Sequence, residues 1–170
     1  MHLLDQRNYS EESLLAFSLI AKDEIEKIEV LEDNNKTIVF GDFNMNPFEK
    51  GMTQVSAFNA TMSSQIARRE TKLLNRRKYN FFYNPSWSLI GDLYSEPAGT
   101  LYYSKAGYNP FYWNLFDQVI LRPSLIANFD NSNYRIVHEI NAKTLLNSRG
   151  RPDKKNISDH LPIIFKLKNL

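Results

Sequence analysis

Apolar residues recur at steps of three or four over Leu14, Phe17, Ala21, Ile25 and Ile28, a single stripe that predicts an amphipathic helix of about five turns. Ser10 is placed to cap it. Glu11 and Glu12 fall in the first turn, where the helix dipole favours acids, and Asp33-Asn34-Asn35 ends it. The pattern then changes to the near-continuous apolar run Ile38-Val39-Phe40, which reads as a strand buried on both faces. A helix followed by such a strand is the α/β layering pattern, with the helix covering one face of a sheet.

Asn46-Pro47-Phe48 breaks that strand, and much of Thr53–Lys78 reads as helical, with an interruption near Thr61–Ser64. Tyr79–Tyr112 is rich in Asn, Pro, Gly and aromatic residues and predicts long loops around a short strand at Thr100–Ser104. Trp113–Leu121 predicts a second strand, stopped by Arg122-Pro123. Tyr134–Ile140 predicts a third, and His138 within it alternates with apolar neighbours as an ordinary strand histidine. A polar loop over Asn147–Lys155 leads to the closing strand Ile163–Leu167. No repeat, linker or second domain interrupts this order.

The polar residues at the strand ends change the picture. Gly41-Asp42-Phe43-Asn44 follows the first strand, and Ser158-Asp159-His160 precedes the last, about 115 residues later. In extended backbone, alternate residues share a face, so Asp42 and Asn44 point one way and Phe43 into the core. Asp159 and His160, being adjacent, face opposite ways. Asp117 interrupts an otherwise apolar strand, where an acid is costly unless paired. Asp, Asn, Asp and His at a sheet rim form a set suited to a hard cation, a polarised water and a phosphate.

In this order, each beside its strand, these motifs resemble the endonuclease/exonuclease/phosphatase superfamily, which includes deoxyribonucleases, abasic-site endonucleases, neutral sphingomyelinases and inositol polyphosphate phosphatases. The resemblance implies an α/β four-layered sandwich and covers nearly the whole chain, with residues 1–170 forming a single domain. It also implies roles. Asp42 orients or deprotonates the attacking water, Asn44 holds a phosphate oxygen, and His160 contacts the scissile phosphate. Asp117 fixes the tautomer of His160, and Asp159, with Asp42, lies at the metal side. His2, before the long helix, resembles the family's histidine at a mid-domain strand end, a phosphate contact or general acid. The implied cation is Mg²⁺, with Mn²⁺ as the substitute.

The family also places an Asn near its first strand and a Glu on a later one, both ahead of the His segment and both near the metal. Nothing precedes Met1-His2 here, so the domain is expected to be incomplete on its N-terminal side. Three readings follow: a nuclease acting on phosphodiesters, a small-molecule or lipid phosphatase, and a half-domain that needs the missing portion or a partner. Removing the first strands would leave sheet surface uncovered and open to self-association.

Composition narrows these readings only a little. The 170 residues are 42% hydrophobic and 13% aromatic, the balance of a globular protein. A net charge of +2 does not by itself demand a nucleic-acid partner. Arg68, Lys72 and Arg76, spaced by four, are expected to form one row on a helix, either a solvated face or a stripe tracking a DNA or RNA backbone. With no cysteine, disulfides and thiolate metal sites are excluded. No stretch has the length of a membrane span and no signal-peptide layout opens the chain, so a cytoplasmic location is expected.

Overall fold

A computed structural model describes residues 1–4, 8–93, 97–104 and 110–169. Parts of the predicted Tyr79–Tyr112 loop region, at 94–96 and 105–109, lie outside the described residues. The first half of the chain comprises helix α1 (Glu11–Leu31), strand β1 (Ile38–Asp42), the short helix α2 (Lys50–Thr53), β2 (Ala60–Thr61), the short helix α3 (Ser64–Ala67), β3 (Thr71–Leu74), β4 (Arg77–Asn80) and β5 (Phe82–Tyr83). The second half adds β6 (Leu101–Tyr102), β7 (Trp113–Asn114), β8 (Asp117–Leu121), β9 (Arg135–Ile136), β10 (Glu139–Ile140), β11 (Lys143–Thr144) and β12 (Ile163–Ile164).

The main sheet runs β1-β8-β5-β2, with β1 and β8 antiparallel and β2 parallel to β5. Because side chains alternate across a strand, its two faces feed two cores. Val39, Phe82 and Ile120 pack with Leu14, Phe43, Met45, Met52 and Phe58 beneath α1. Val119 and Leu121, with Ile38 and Tyr83 beside them, pack on the other face with Phe129, Tyr134, Ile136, Leu161 and Ile163. Helix, main sheet and the β9–β12 pair are therefore stacked in that order, a mixed α/β arrangement with several sheets.

Helix α1 begins as expected: the Ser10 side chain accepts from the Ser13 N–H, with Glu11 and Glu12 in the first turn. Its buried face is rotated from the expected stripe. Leu14, Ser18 and Lys22 are buried and Ala21 and Ile25 pack beside them, whereas Phe17 and Ile28 are exposed. Polar pairing outweighs apolar count here. Lys22 meets Glu26 at 2.6 Å, and Arg122 binds Glu29 through Nε and Nη2, both at 2.8 Å, while its guanidinium lies 3.9 Å over the Phe82 ring. A buried guanidinium needs a paired carboxylate, and α1 must turn its acids inward to supply one.

The predicted helix over Thr53–Lys78 is corrected. Only Ser64–Ala67 is helical after α2, and β3 and β4 form an antiparallel hairpin with Leu74 opposite Arg77. Asn75 and Arg76 at its tip both have positive φ, 49° and 62°, the mirror-image turn that matches strand twist. The predicted strand Trp113–Leu121 is split into β7 and β8, because Leu115 and Phe116 spend backbone groups on the loop after β1. The third and last predicted strands are shortened in the same way, to Arg135–Ile136 with Glu139–Ile140, and to Ile163–Ile164.

Candidate active site at the rim of the main sheet

Strand register sets the first contact of the site. In the β1–β8 pairing Asp42 lies directly opposite Asp117, at the same end of the sheet. Gly41, just before, has φ 133°, and a Cβ there would collide with the Met1 carbonyl. Only glycine lets the Met1–Leu3 segment lie against β1, and that segment brings His2 into a parallel bridge with Asp42.

Beyond Asp42 the chain turns instead of continuing extended. Asn44 is left-handed, φ 50°, with its N–H donated to Asp42 Oδ1 at 2.8 Å and its Nδ2 to Asp42 Oδ2 at 3.1 Å and to the Leu3 carbonyl at 3.0 Å. Both amide hydrogens are thus spent on holding Asp42 and the Met1–Leu3 segment. Three further bonds clamp this loop to β8 and the residues before it. Phe43 N–H donates to the Phe116 carbonyl, Leu115 N–H to Asn46 Oδ1, and Gln118 Nε2 to the Met45 carbonyl. Phe43 itself is fully buried, as alternation requires.

His160 is held from the other side. It bridges Leu101, and its N–H donates to Ser158 Oγ at 3.1 Å. Buried Thr100 ties the two halves: its carbonyl accepts from Leu161 N–H and its hydroxyl from Asp117 N–H. The result is a 2.8 Å contact between His160 Nδ1 and Asp117 Oδ2. A carboxylate there accepts a hydrogen bond from Nδ1–H and leaves Nε2 to act on a ligand.

Electrostatics follow from this packing. The Asp117 hydrogen bond raises the His160 pKa against the opposing effect of burial, with the charges of Asp42 and Asp159 adding to the rise. Burial raises the Asp42 carboxyl, opposed by the Asn44 N–H and by the nearby imidazoles of His160 and His2. His2 Nε2 stands 3.5 Å from Asp42 Oδ2 and is largely exposed. Asp159 is lowered by its bond to Lys154, whose Nζ lies 2.8 Å from Oδ2.

Asp42, Asn44, Asp117, His160 and His2 are thus brought together, with Asp159 adjoining. The basic row is not a row. Arg68 caps the C-terminus of α3, Lys72 lies in β3 and Arg76 at the hairpin tip, so the fourfold spacing carries no helical alignment. The hairpin is rooted at Phe81, whose carbonyl is bound by Arg122, beyond the end of β8 opposite Asp117. Thr100, Asn46 and Gln118 were missed by the sequence reading. Only Gln118 carried a signal, a second polar residue in an apolar strand.

The arrangement is an oriented carboxylate beside a carboxylate-held imidazole. A family model described as the Endonuclease/Exonuclease/phosphatase family matches residues 6–169, and the chain belongs to that family. No curated protein and no solved structure matches it. Members of the family are in general phosphoester hydrolases that use a divalent cation, usually Mg²⁺. Among the described residues no three His, Asp or Glu side chains gather into a metal cage, and the Asp159 carboxylate is engaged by Lys154. A hard cation needs several oxygen donors, so the described residues do not by themselves make its site.

Proposed function

We propose that the protein hydrolyses phosphoesters at this rim, whether of a polynucleotide, a small molecule or a lipid. The observation that carries the reading is the Asp117–His160 contact at 2.8 Å with Asp42 in register opposite Asp117. Water attacks phosphorus as Asp42 orients it and accepts its proton, a new P–O bond forms, and the ester P–O bond breaks. His160, with its Nδ1 proton fixed by Asp117, offers Nε2–H to a phosphate oxygen where negative charge builds. His2, 3.5 Å from Asp42, lies on the side of the attacking water and serves as a phosphate contact, and the departing oxygen takes its proton from solvent. Asn44 holds Asp42, and its reach to a phosphate oxygen requires release of the Leu3 carbonyl.

A second reading is favoured by a different observation. Phe40 projects from β1 and is 55% exposed, with Ile164 on β12 also exposed, an apolar surface of the kind covered by further chain or by self-association. On this reading the catalytic unit is completed by carboxylates from elsewhere, Asp42 and Asp159 being this chain's contribution to the Mg²⁺ or Mn²⁺ site.

The test is hydrolysis of bis(p-nitrophenyl) phosphate and of a labelled oligonucleotide in Mg²⁺, comparing the native protein with Asp42→Asn and His160→Ala. Each substitution is expected to lower turnover by about a hundredfold or more. Undiminished turnover in His160→Ala would remove the site from the reaction.

A further inference from the structure

The loop before Ser158 places a guanidinium beside the site, and it has no anionic partner among the described residues. Arg151 Cζ lies 3.9 Å over the ring of Tyr102. That ring is stacked on Tyr112, with centroids 6.0 Å apart and planes at 17°, and meets Trp113 edge-on at 5.3 Å. Tyr102 follows Leu101, the residue bridged to His160, so antiparallel geometry sets it next to Asp159. The backbone N–H of Arg151 is directed to Asn147 Oδ1, but its guanidinium joins no ion pair or hydrogen bond among the described residues. Its five donors are thus unclaimed by the described residues, and stacking holds their plane in place.

A braced, unpaired guanidinium is a preorganised receptor for a phosphate, which it can grip with two parallel N–H bonds. Lys154 is engaged by Asp159, and the hairpin cations are rooted beyond the other end of β8, whereas Arg151 is a cation on the His160 side that is unpaired among the described residues and held by stacking. Tyr112, stacked on the same Tyr102 ring, is 43% exposed and offers aromatic surface on which a planar ring can stack. A phosphate fork and a stacking face carried by one tyrosine ring, next to the candidate site, suit a nucleic-acid strand, which presents phosphates and bases in alternation.

We propose that Arg151, braced by Tyr102, binds the phosphate neighbouring the scissile one in a single-stranded polynucleotide, with the adjoining base stacked on Tyr112. The proposal rests on the phosphoester reading for the word scissile, but the binding itself does not depend on turnover.

Fluorescence anisotropy of a labelled oligothymidylate of roughly six nucleotides, in EDTA with salt titrated, measures the binding alone. Arg151→Gln is expected to weaken binding about tenfold and to flatten the log–log salt dependence by about 0.7, the value for one lost contact to a single strand. Arg151→Lys is expected to keep the salt slope and recover only part of the affinity, because the charge returns without the planar fork. Tyr112→Leu is expected to weaken binding at an unchanged salt slope. An oligonucleotide that fails to bind, or binds all variants equally, overturns the proposal. So does an Arg151-dependent affinity for inositol hexakisphosphate that the oligonucleotide does not share. Hydrolysis of bis(p-nitrophenyl) phosphate, which has no neighbouring phosphate, is read in parallel and is expected to be unchanged in Arg151→Gln. If that turnover is absent from the native protein as well, the phosphoester reading fails while the binding result stands.

Discussion

At the scale of single residues, the site depends on one shared proton. Asp117 raises the His160 pKa and burial lowers it, so Asp117→Asn is expected to drop the imidazole below its native value. A pH titration of the His160 ring by NMR measures this directly, and an unchanged midpoint would show that the carboxylate is not its partner. The same substitution alters stability in a defined window. A histidine whose folded pKa is raised contributes stability below its ordinary value of about 6.5, and that contribution is lost as pH rises through the folded value. Urea midpoints for native and Asp117→Asn protein are therefore expected to differ more at pH 5.5 than at pH 9. Asp42 is also raised, so its own contribution is present below the ordinary carboxylate range and lost as pH rises through its folded value. The Asp117 and His160 identities were legible from the motifs, whereas Thr100, which ties their two segments together, lies in a loop-rich stretch with nothing to mark it.

At the scale of elements, the hairpin shows where periodicity misleads. Thr71–Leu74 and Arg77–Asn80 lie mostly at the surface, so neither strand has a buried face to impress a period of two on the sequence. A spacing of four between cations then fits a helix equally well. The turn settles the matter, since Asn75 and Arg76 both adopt positive φ and hold the strands in a two-residue loop. Glycine relieves the steric cost at such a position but adds unfolded-state freedom, two terms of about 1 kcal/mol that oppose. Arg76→Gly is expected to leave the thermal midpoint within about 2 °C or raise it. Arg76→Val, β-branched at positive φ, is expected to lower it by about 2–6 °C. Equal midpoints for the two variants would argue against this turn. Helix α1 makes the converse point. Its existence and N-terminal cap were legible, but its rotation was set by Arg122, which lies 93 residues from Glu29 in sequence and recruits it inward.

For the whole molecule, the layering of α1, the main sheet and the β9–β12 pair gathers the site at one end of β1 and β8, where cation ligands are sparse among the described residues. Calorimetry with Mg²⁺ or Mn²⁺ is expected to give binding no tighter than about millimolar, since one or two carboxylates leave most of the hydration shell in place. One-to-one binding in the micromolar range would mean that this chain builds a full cation site by another route. The sequence by itself determined the type of most elements in the main layers, the strand ends that bear polar residues, and the kind of chemistry those residues suit. These are local properties, written in runs of apolar residues and in the side chains that interrupt them. The tertiary structure alone decided that Asp42 stands opposite Asp117, that Asn44 spends its amide on Asp42 and Leu3, that α1 turns its acids toward Arg122, and that Arg151 rests on Tyr102 beside the site. All but the Asn44–Asp42 contact pair segments distant in sequence. Strand register and the need of buried polar groups for partners select such pairings, and neither is visible until the chain has closed on itself.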